Sequence, residues 1–194
     1  DPNPVVAGRG IRLLREKGLE VVAGVLRGEC ERQNEVFFHF MRTKLPFTVL
    51  KYAMTLDGKT ATVLGKSQWI TGEAARKRVH EDRGRYMAIL TGVSTVLADN
   101  PQLTCRIPGG KNPIRVIADT KLRTPLSSTV VQTARETPTW IVTAVSDAGR
   151  KKAYEDAGCR VLSVPAKEGE LDLQAMMQRL GEEKVDSVMV ESGG

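Results

Sequence analysis

The sequence predicts an α/β fold, a mainly parallel sheet with helices on its faces. Two observations predict it. From Phe47 onward, short apolar segments alternate with polar helix-forming ones, the pattern of βα units stacked into one sheet. Polar and charged residues gather where the apolar segments end, above all between Lys51 and Arg106, and an open α/β sheet keeps its ligand at such ends.

The elements follow in order. Gly8-Arg9-Gly10 opens a helix from about Ile11, which Lys17-Gly18 closes in the manner of a glycine cap. Leu19–Val22 reads as a short strand. Glu29–Arg42 reads as a second helix, with Asn34, Phe37, Phe38 and Met41 at helical spacing, and Leu45-Pro46 breaks it. This α-β-α segment, 1–46, is too small to bury a core alone and is expected to be the end of a larger domain; a second domain is expected over 47–194. Within the latter, strands are expected at 47–54, 87–91, 114–118, 138–142, 160–164 and 186–190, and helices at 72–84, 147–157 and 171–181. Thr71 is the expected N-cap of the first of these helices, with Glu73 in its first turn; Gly158 and Gly181 are the expected stops of the other two. Asp57-Gly58 marks a turn, and Thr95–Asn100 a helix-like turn stopped by Pro101.

Composition excludes several classes. At 41% hydrophobic and 27% charged residues the chain reads as soluble and globular. Its apolar runs are far too short to span a membrane, and no secretory apolar segment is expected at its start. The opening loop without Met, and a last apolar strand running into Glu191-Ser192-Gly193-Gly194, suggest a chain cut at both ends. Cys30, Cys105 and Cys159 are dispersed, with no C-x-x-C pair, which fits a reducing cytoplasm. The histidines are His39, among phenylalanines and expected to pack or lie at the surface rather than to bind a ligand, and His80; without a Cys/His cluster no zinc site is expected in this chain. The net charge of +6 is ordinary for solubility, and its attractive reading is a phosphorylated small molecule. The basic residues are scattered and aromatics make up only 5%, so no ladder for stacking bases exists and no nucleic acid is expected.

Particular residues point to chemistry. Lys51 sits in the apolar run Thr48–Ala53; on an exposed strand face this is trivial, and in a central strand Lys51 must meet a carboxylate or a phosphate. Both readings stay open. Glu191 ends the apolar strand Val188–Val190, where a carboxylate suits a polar ligand, and Gly193-Gly194 would let backbone N–H groups approach a phosphate, or would simply turn the chain. The G-x-G-x-x-G fingerprint is absent. Asp119-Thr120-Lys121 follows a strand and reads either as a ribose or phosphate contact or as an Asx turn. Arg83 and Arg106 are surface arginines by default, and as ligands they would grip a phosphate with two N–H groups. Trp69 lies in a polar loop, where it either fills the core or flanks a cofactor. No Ser-His-Asp or Cys-His arrangement supports nucleophilic catalysis.

The run KYAMTLDGKTA…SQWITGEAAR…ILTGVSTVLADNPQLTCR closely resembles the reductase domain of the bifunctional riboflavin-biosynthesis deaminase/reductase family. The opening DPNPVVAGRGIRLLREKGLEVVAGV resembles the last part of that family's cytidine-deaminase-like domain. The resemblance implies a dihydrofolate-reductase-like fold from about residue 47. It implies NADPH-dependent reduction of the ribosyl side chain of 5-amino-6-(5-phosphoribosylamino)uracil to the ribityl form, with the phosphorylated pyrimidine as small-molecule partner. Ala53, Trp69, Thr95, Asp99 and Thr120 fall at NADP-contacting positions, and Gly193 and Gly194 begin the pyrophosphate loop. Ser67, Arg83, Leu103 and Arg106 fall at substrate positions, the arginines on its phosphate. Lys51 and Glu191 match the polar pair facing the ribityl chain and pyrimidine, with Lys51 the expected proton-transfer group. The resemblance is compatible with a homodimer. The family's zinc-binding H-A-E and P-C-x-x-C motifs are absent, so zinc and deamination are expected only in a full-length protein. Three other readings compete: a similar fold reducing another phosphorylated pyrimidine or a pterin, a non-catalytic nucleotide-binding module, and a nucleic-acid binder drawn by charge alone.

Overall fold

The structure is a computed structural model and describes residues 2–67 and 69–191. The expected strand at 19–22 is not formed: residues 19–24 have no regular structure, and no strand among the described residues pairs with them. A strand needs a neighbour for its backbone groups, and apolar character alone supplies none. The expected helix 29–42 is divided at Asn34 into α2 (Arg27–Gln33) and α3 (Glu35–Thr43). Asn34 leaves helical geometry (φ −114°, ψ 30°) while its side chain donates to the Cys30 carbonyl at 2.9 Å, the local competition by which Asn breaks helices. Ahead of these lies α1 (Arg9–Glu16), closed as expected at Gly18 (φ 81°), with Leu19 N–H bonded to Leu14 O and Gly18 N–H to Arg15 O.

From Phe47 the alternation produces β1 (Phe47–Lys51), α4 (Glu73–Arg85), β2 (Ala88–Gly92), α5 (Val93–Asp99), β3 (Ile114–Ala118), α6 (Thr129–Gln132), β4 (Thr139–Thr143), α7 (Ala148–Asp156), β5 (Arg160–Ser163), β6 (Ala166–Lys167), β7 (Glu170–Leu171), α8 (Leu173–Glu182) and β8 (Ser187–Glu191). One six-stranded sheet runs β1-β8-β2-β3-β4-β5, every neighbour parallel. The last strand thus inserts between the first two. Successive strand residues point to opposite faces. Ile89, Ile117, Ile141 and Met189 pack under α5, α6 and α7, while Leu90, Val116, Val142 and Val188 pack under α8. Burial on both faces is why these strands read as continuous apolar runs.

Several boundaries differ from expectation for local reasons. β1 ends at Lys51, and the chain to Ser67 forms two turns, at Thr55–Lys59 around Gly58 and at Thr62–Lys66 around Gly65. The N-cap of α4 falls at Gly72 rather than Thr71, whose carbonyl is occupied by Arg76 Nη1 at 2.7 Å. Leu171, the expected start of a helix, belongs instead to β7, which closes a hairpin through Glu168-Gly169, both at positive φ as a two-residue hairpin turn requires. Gly158 caps α7 as expected, with Cys159 N–H on Tyr154 O. Gly181 does not stop α8. It lies inside the helix, where a Cβ would overlap the Lys44 carbonyl oxygen; the stop is Lys184 in left-handed geometry (φ 65°), with Val185 N–H on Leu180 O. His39 packs edge-on against Phe47, ring centroids 5.7 Å apart.

Candidate functional site

The parallel register pairs Lys51 with Glu191, so the ends of β1 and β8 place an ammonium beside a carboxylate. Lys51 Nζ lies 3.7 Å from Glu191 Oε2. Among the described residues β1 is an edge strand, so the central-strand premise for Lys51 fails, yet its partly exposed side chain still stands beside a carboxylate. The stronger contact comes from α4: Arg83 donates through Nε to Glu191 Oε1 at 2.7 Å and through Nη2 to Oε2 at 2.9 Å, and through Nη1 to the Thr104 carbonyl at 3.0 Å. Arg83 and Glu191 side chains are only 12% and 11% exposed, so their forked pair is largely desolvated.

Above this pair opens a cleft of about 420 Å³. Lys51, Arg83, Arg106 and Glu191 line it, with Ser67 from the irregular segment and Leu103 from the loop after α5. Ala53, Trp69, Thr95 and Asp99 line it as well. Trp69 is 71% exposed, and the Arg76 guanidinium stacks over its ring at 4.4 Å from the centroid. Thr120 lies elsewhere. Its hydroxyl donates to Glu170 Oε2 at 3.3 Å and accepts Leu171 N–H at 3.2 Å, so it ties the β6–β7 hairpin to the end of β3. Gly193 and Gly194 lie outside the described residues.

The segment 102–106 is irregular, yet four of its backbone groups are held by hydrogen bonds from elsewhere in the chain. Leu103 is buried at φ 53°, an uncommon geometry for a bulky side chain. The Gln102 carbonyl accepts from Arg115 at 3.2 Å and the Thr104 carbonyl from Arg83. Cys105 N–H donates to Asn112 Oδ1 at 3.0 Å, and Arg106 N–H to His80 Nδ1 at 3.3 Å. The Cys105 thiol donates to the His80 carbonyl at 3.1 Å. Burial first, then the Arg83 and Arg106 guanidinium groups, push the His80 pKa below its ordinary value and favour the neutral ring that Arg106 N–H needs as acceptor.

Sequence reasoning passed over His80 and Arg76. A signal existed: Arg76, His80 and Arg83 stand at i, i+4 and i+7, one face of a helix whose last member was already singled out. Among the described residues no cluster of His, Cys, Asp or Glu could hold a metal ion, no helix is long and apolar enough to cross a membrane, and the three cysteines are free.

A parallel α/β sheet whose strand ends open into a cation-lined cleft defines a domain suited to anionic, nucleotide-like ligands. Comparison with known proteins narrows the class. The RibD C-terminal domain family matches residues 46–194, and the chain belongs to that family. The chain is similar to riboflavin biosynthesis protein RibD of Actinobacillus pleuropneumoniae (50% identity, covering 100% of this chain and 51% of that protein) and of Bacillus amyloliquefaciens (47%, 100% and 52%). Among solved structures it is similar to the Thermotoga maritima diaminohydroxyphosphoribosylaminopyrimidine deaminase/5-amino-6-(5-phosphoribosylamino)uracil reductase, at TM-score 0.82 and 38% identity over 100% of this chain and 52% of that one. The chain therefore spans about half the length of the curated relatives it matches.

Proposed function

We propose that the chain is the reductase part of a bifunctional flavin-synthesis protein, which reduces the ribosyl side chain of 5-amino-6-(5-phosphoribosylamino)uracil to the ribityl form with NADPH. One observation carries this reading: a single cleft gathers Lys51, Glu191, Arg83 and Arg106 with Ala53, Trp69, Thr95 and Asp99, in a chain of the RibD C-terminal domain family. The cleft fits a nucleotide cofactor in kind, since an exposed Trp69 face backed by Arg76 offers a flat apolar surface beside polar groups. Bound there, NADPH would supply the hydride. The protein's own residues supply orientation and charge. Arg83 locks Glu191, so Glu191 presents a fixed carboxylate against which Lys51 is positioned. Lys51 is then the group placed to give a proton to the sugar oxygen as its ring opens. Ser67 and Leu103 border the substrate, and Arg106, whose guanidinium makes no hydrogen bond or ion pair among the described residues, is the cation offered to its phosphate. Gly193 and Gly194 belong to the pyrophosphate loop on this reading. Thr120, whose hydroxyl is engaged by the β6–β7 hairpin, would reach the cofactor only through that hairpin's movement.

Residues 1–46 are, on the same reading, the last part of a deaminase-like domain, supported by the family match starting at residue 46 and by relatives that align along the whole chain. Zinc would belong to that domain. The working protein would be cytoplasmic, with a homodimer as its assembly. The test uses the full-length protein and NADPH carrying deuterium at the nicotinamide C4. The expected result is a ribityl product with deuterium at C1′. Absence of label from that carbon, or equal turnover of an unphosphorylated pterin, overturns the reading.

A further inference from the structure

Helix α4 buries none of its residues, yet two of its side chains hold the wall of the cleft. Arg83 and His80, one turn apart, take Thr104 and Arg106 respectively. Arg83 has its guanidinium committed to Glu191 and Thr104. Arg106 is exposed, its side chain without a hydrogen bond or ion pair among the described residues, and its backbone is fixed by His80. The Cys105 thiol and Asn112 fix the residue before it. An uncommitted guanidinium on a fixed backbone is a preorganised anion contact. Its side chain loses rotamer freedom on binding, while the loop does not have to be ordered at the same time.

We propose that His80 is a positioning residue for phosphate recognition: by accepting the Arg106 backbone N–H at Nδ1, it sets Arg106 at the cleft wall to meet the phosphate of the substrate. This rests on the function proposed above. His80 does not touch the reacting atoms, and it needs only a neutral ring with a free Nδ1 lone pair. The ring's other nitrogen then carries the proton, an assignment made from the Arg106 contact.

The experiment compares the full-length protein with its His80→Ala, His80→Asn, His80→Gln and Arg106→Ala variants. Each is assayed with the phosphorylated substrate and with its dephosphorylated form. His80→Ala is expected to raise KM for the phosphorylated substrate about tenfold, the scale of one weakened charged contact, with kcat nearly unchanged. With the dephosphorylated substrate His80→Ala and wild type should agree. His80→Asn places an amide oxygen near the Nδ1 position and should restore KM; His80→Gln reaches the Nε2 position and should not. His80→Ala should add nothing on top of Arg106→Ala, because the two act through one contact. Equal KM increases for both substrates, or matching KM values for the Asn and Gln variants, overturn the inference. The second comparison decides even where the Ala variant fails to fold. Wild-type protein that does not turn over sinks the functional reading instead. In that event, calorimetric binding of ribose 5-phosphate decides the inference alone: affinity must fall in His80→Gln and hold in His80→Asn.

Discussion

Glu191 meets one cation through both oxygens and another at arm's length, and the two contacts differ in weight. The Arg83 fork is short and nearly buried; the Lys51 contact is 3.7 Å long with the lysine 35% exposed. Removing one member of a buried pair leaves a charge stranded, at a cost of about 3–5 kcal/mol, whereas exposed pairs contribute about 1 kcal/mol or less. Glu191→Gln should therefore lower unfolding stability by roughly 3 kcal/mol, and Lys51→Ala by less than about 1 kcal/mol, in urea melts. Equal losses would show that the Lys51 contact weighs far more than its length and exposure imply. His80 makes a second prediction at this scale. Burial and the Arg83 and Arg106 cations depress its pKa, opposed only by the Thr104 carbonyl and Glu191. Below the ring's ordinary value of 6.5 the unfolded chain binds a proton that the folded chain resists. The sign follows: the contribution is intact above that pH and is lost as pH falls through the depressed folded value. His80→Asn should flatten this acid limb of the stability profile, measured by denaturant melts from neutral to mildly acid pH. A limb that survives the substitution belongs to other groups.

At the scale of elements, much of the fold was legible because each strand carries its own signal. Alternating apolar pairs such as Leu90 with Ile89, and Val116 with Ile117, announce strands buried on both faces whatever their neighbours. Sheet order is not a local property. Nothing near Ser187 announces that β8 enters between β1 and β2, and it is this insertion that brings Glu191 to Lys51. The site residues were therefore recognisable singly, while the Arg83–Glu191 fork was not. Stops failed in a different way. Gly181 has the composition of a cap, yet its small size serves a close approach of α8 to the Lys44 carbonyl, and Lys184 takes the left-handed cap. Gly181→Ala should force α8 away from the turn that leads into β1. Overpacking of this kind costs about 1–3 kcal/mol, and about 2–4 °C of Tm goes with each kcal/mol at this size. Calorimetry should show the fall. An unchanged Tm would mean that the turn yields freely.

For the molecule as a whole, the irregular cleft wall is tied to the sheet by a cation in the core. Arg115 on β3 is 1% exposed and faces no carboxylate at hydrogen-bond distance among the described residues. Its guanidinium donates to Gln102 O, Thr133 Oγ1, Val130 O, Thr133 O and Thr137 O at 2.8–3.2 Å. Burial lowers its pKa to about 10, which still leaves it charged at neutral pH, so the carbonyl cage has to offset the desolvation. Those five contacts join the central sheet to α6, to the turn before β4 and to Gln102 next to the buried, left-handed Leu103. A hydrophobic side chain of equal reach would remove the charge, but Val130 O and Thr137 O would then share the single Thr139 hydroxyl proton, which leaves one buried carbonyl without a donor at a cost of about 1–3 kcal/mol. Arg115→Met should therefore lose stability, by roughly 1–3 kcal/mol, rather than gain it as replacement of a whole buried ion pair can. The loss should not stop at the core. With Gln102 released, segment 102–106 keeps its hydrogen bonds to Arg83, His80 and Asn112 and the packing of Leu103, and hydrogen exchange at Leu103 through Arg106 should quicken more than exchange in β4 or β5. Uniform quickening across the sheet would mean that Arg115 only supports the core, and that the cleft wall stands without it.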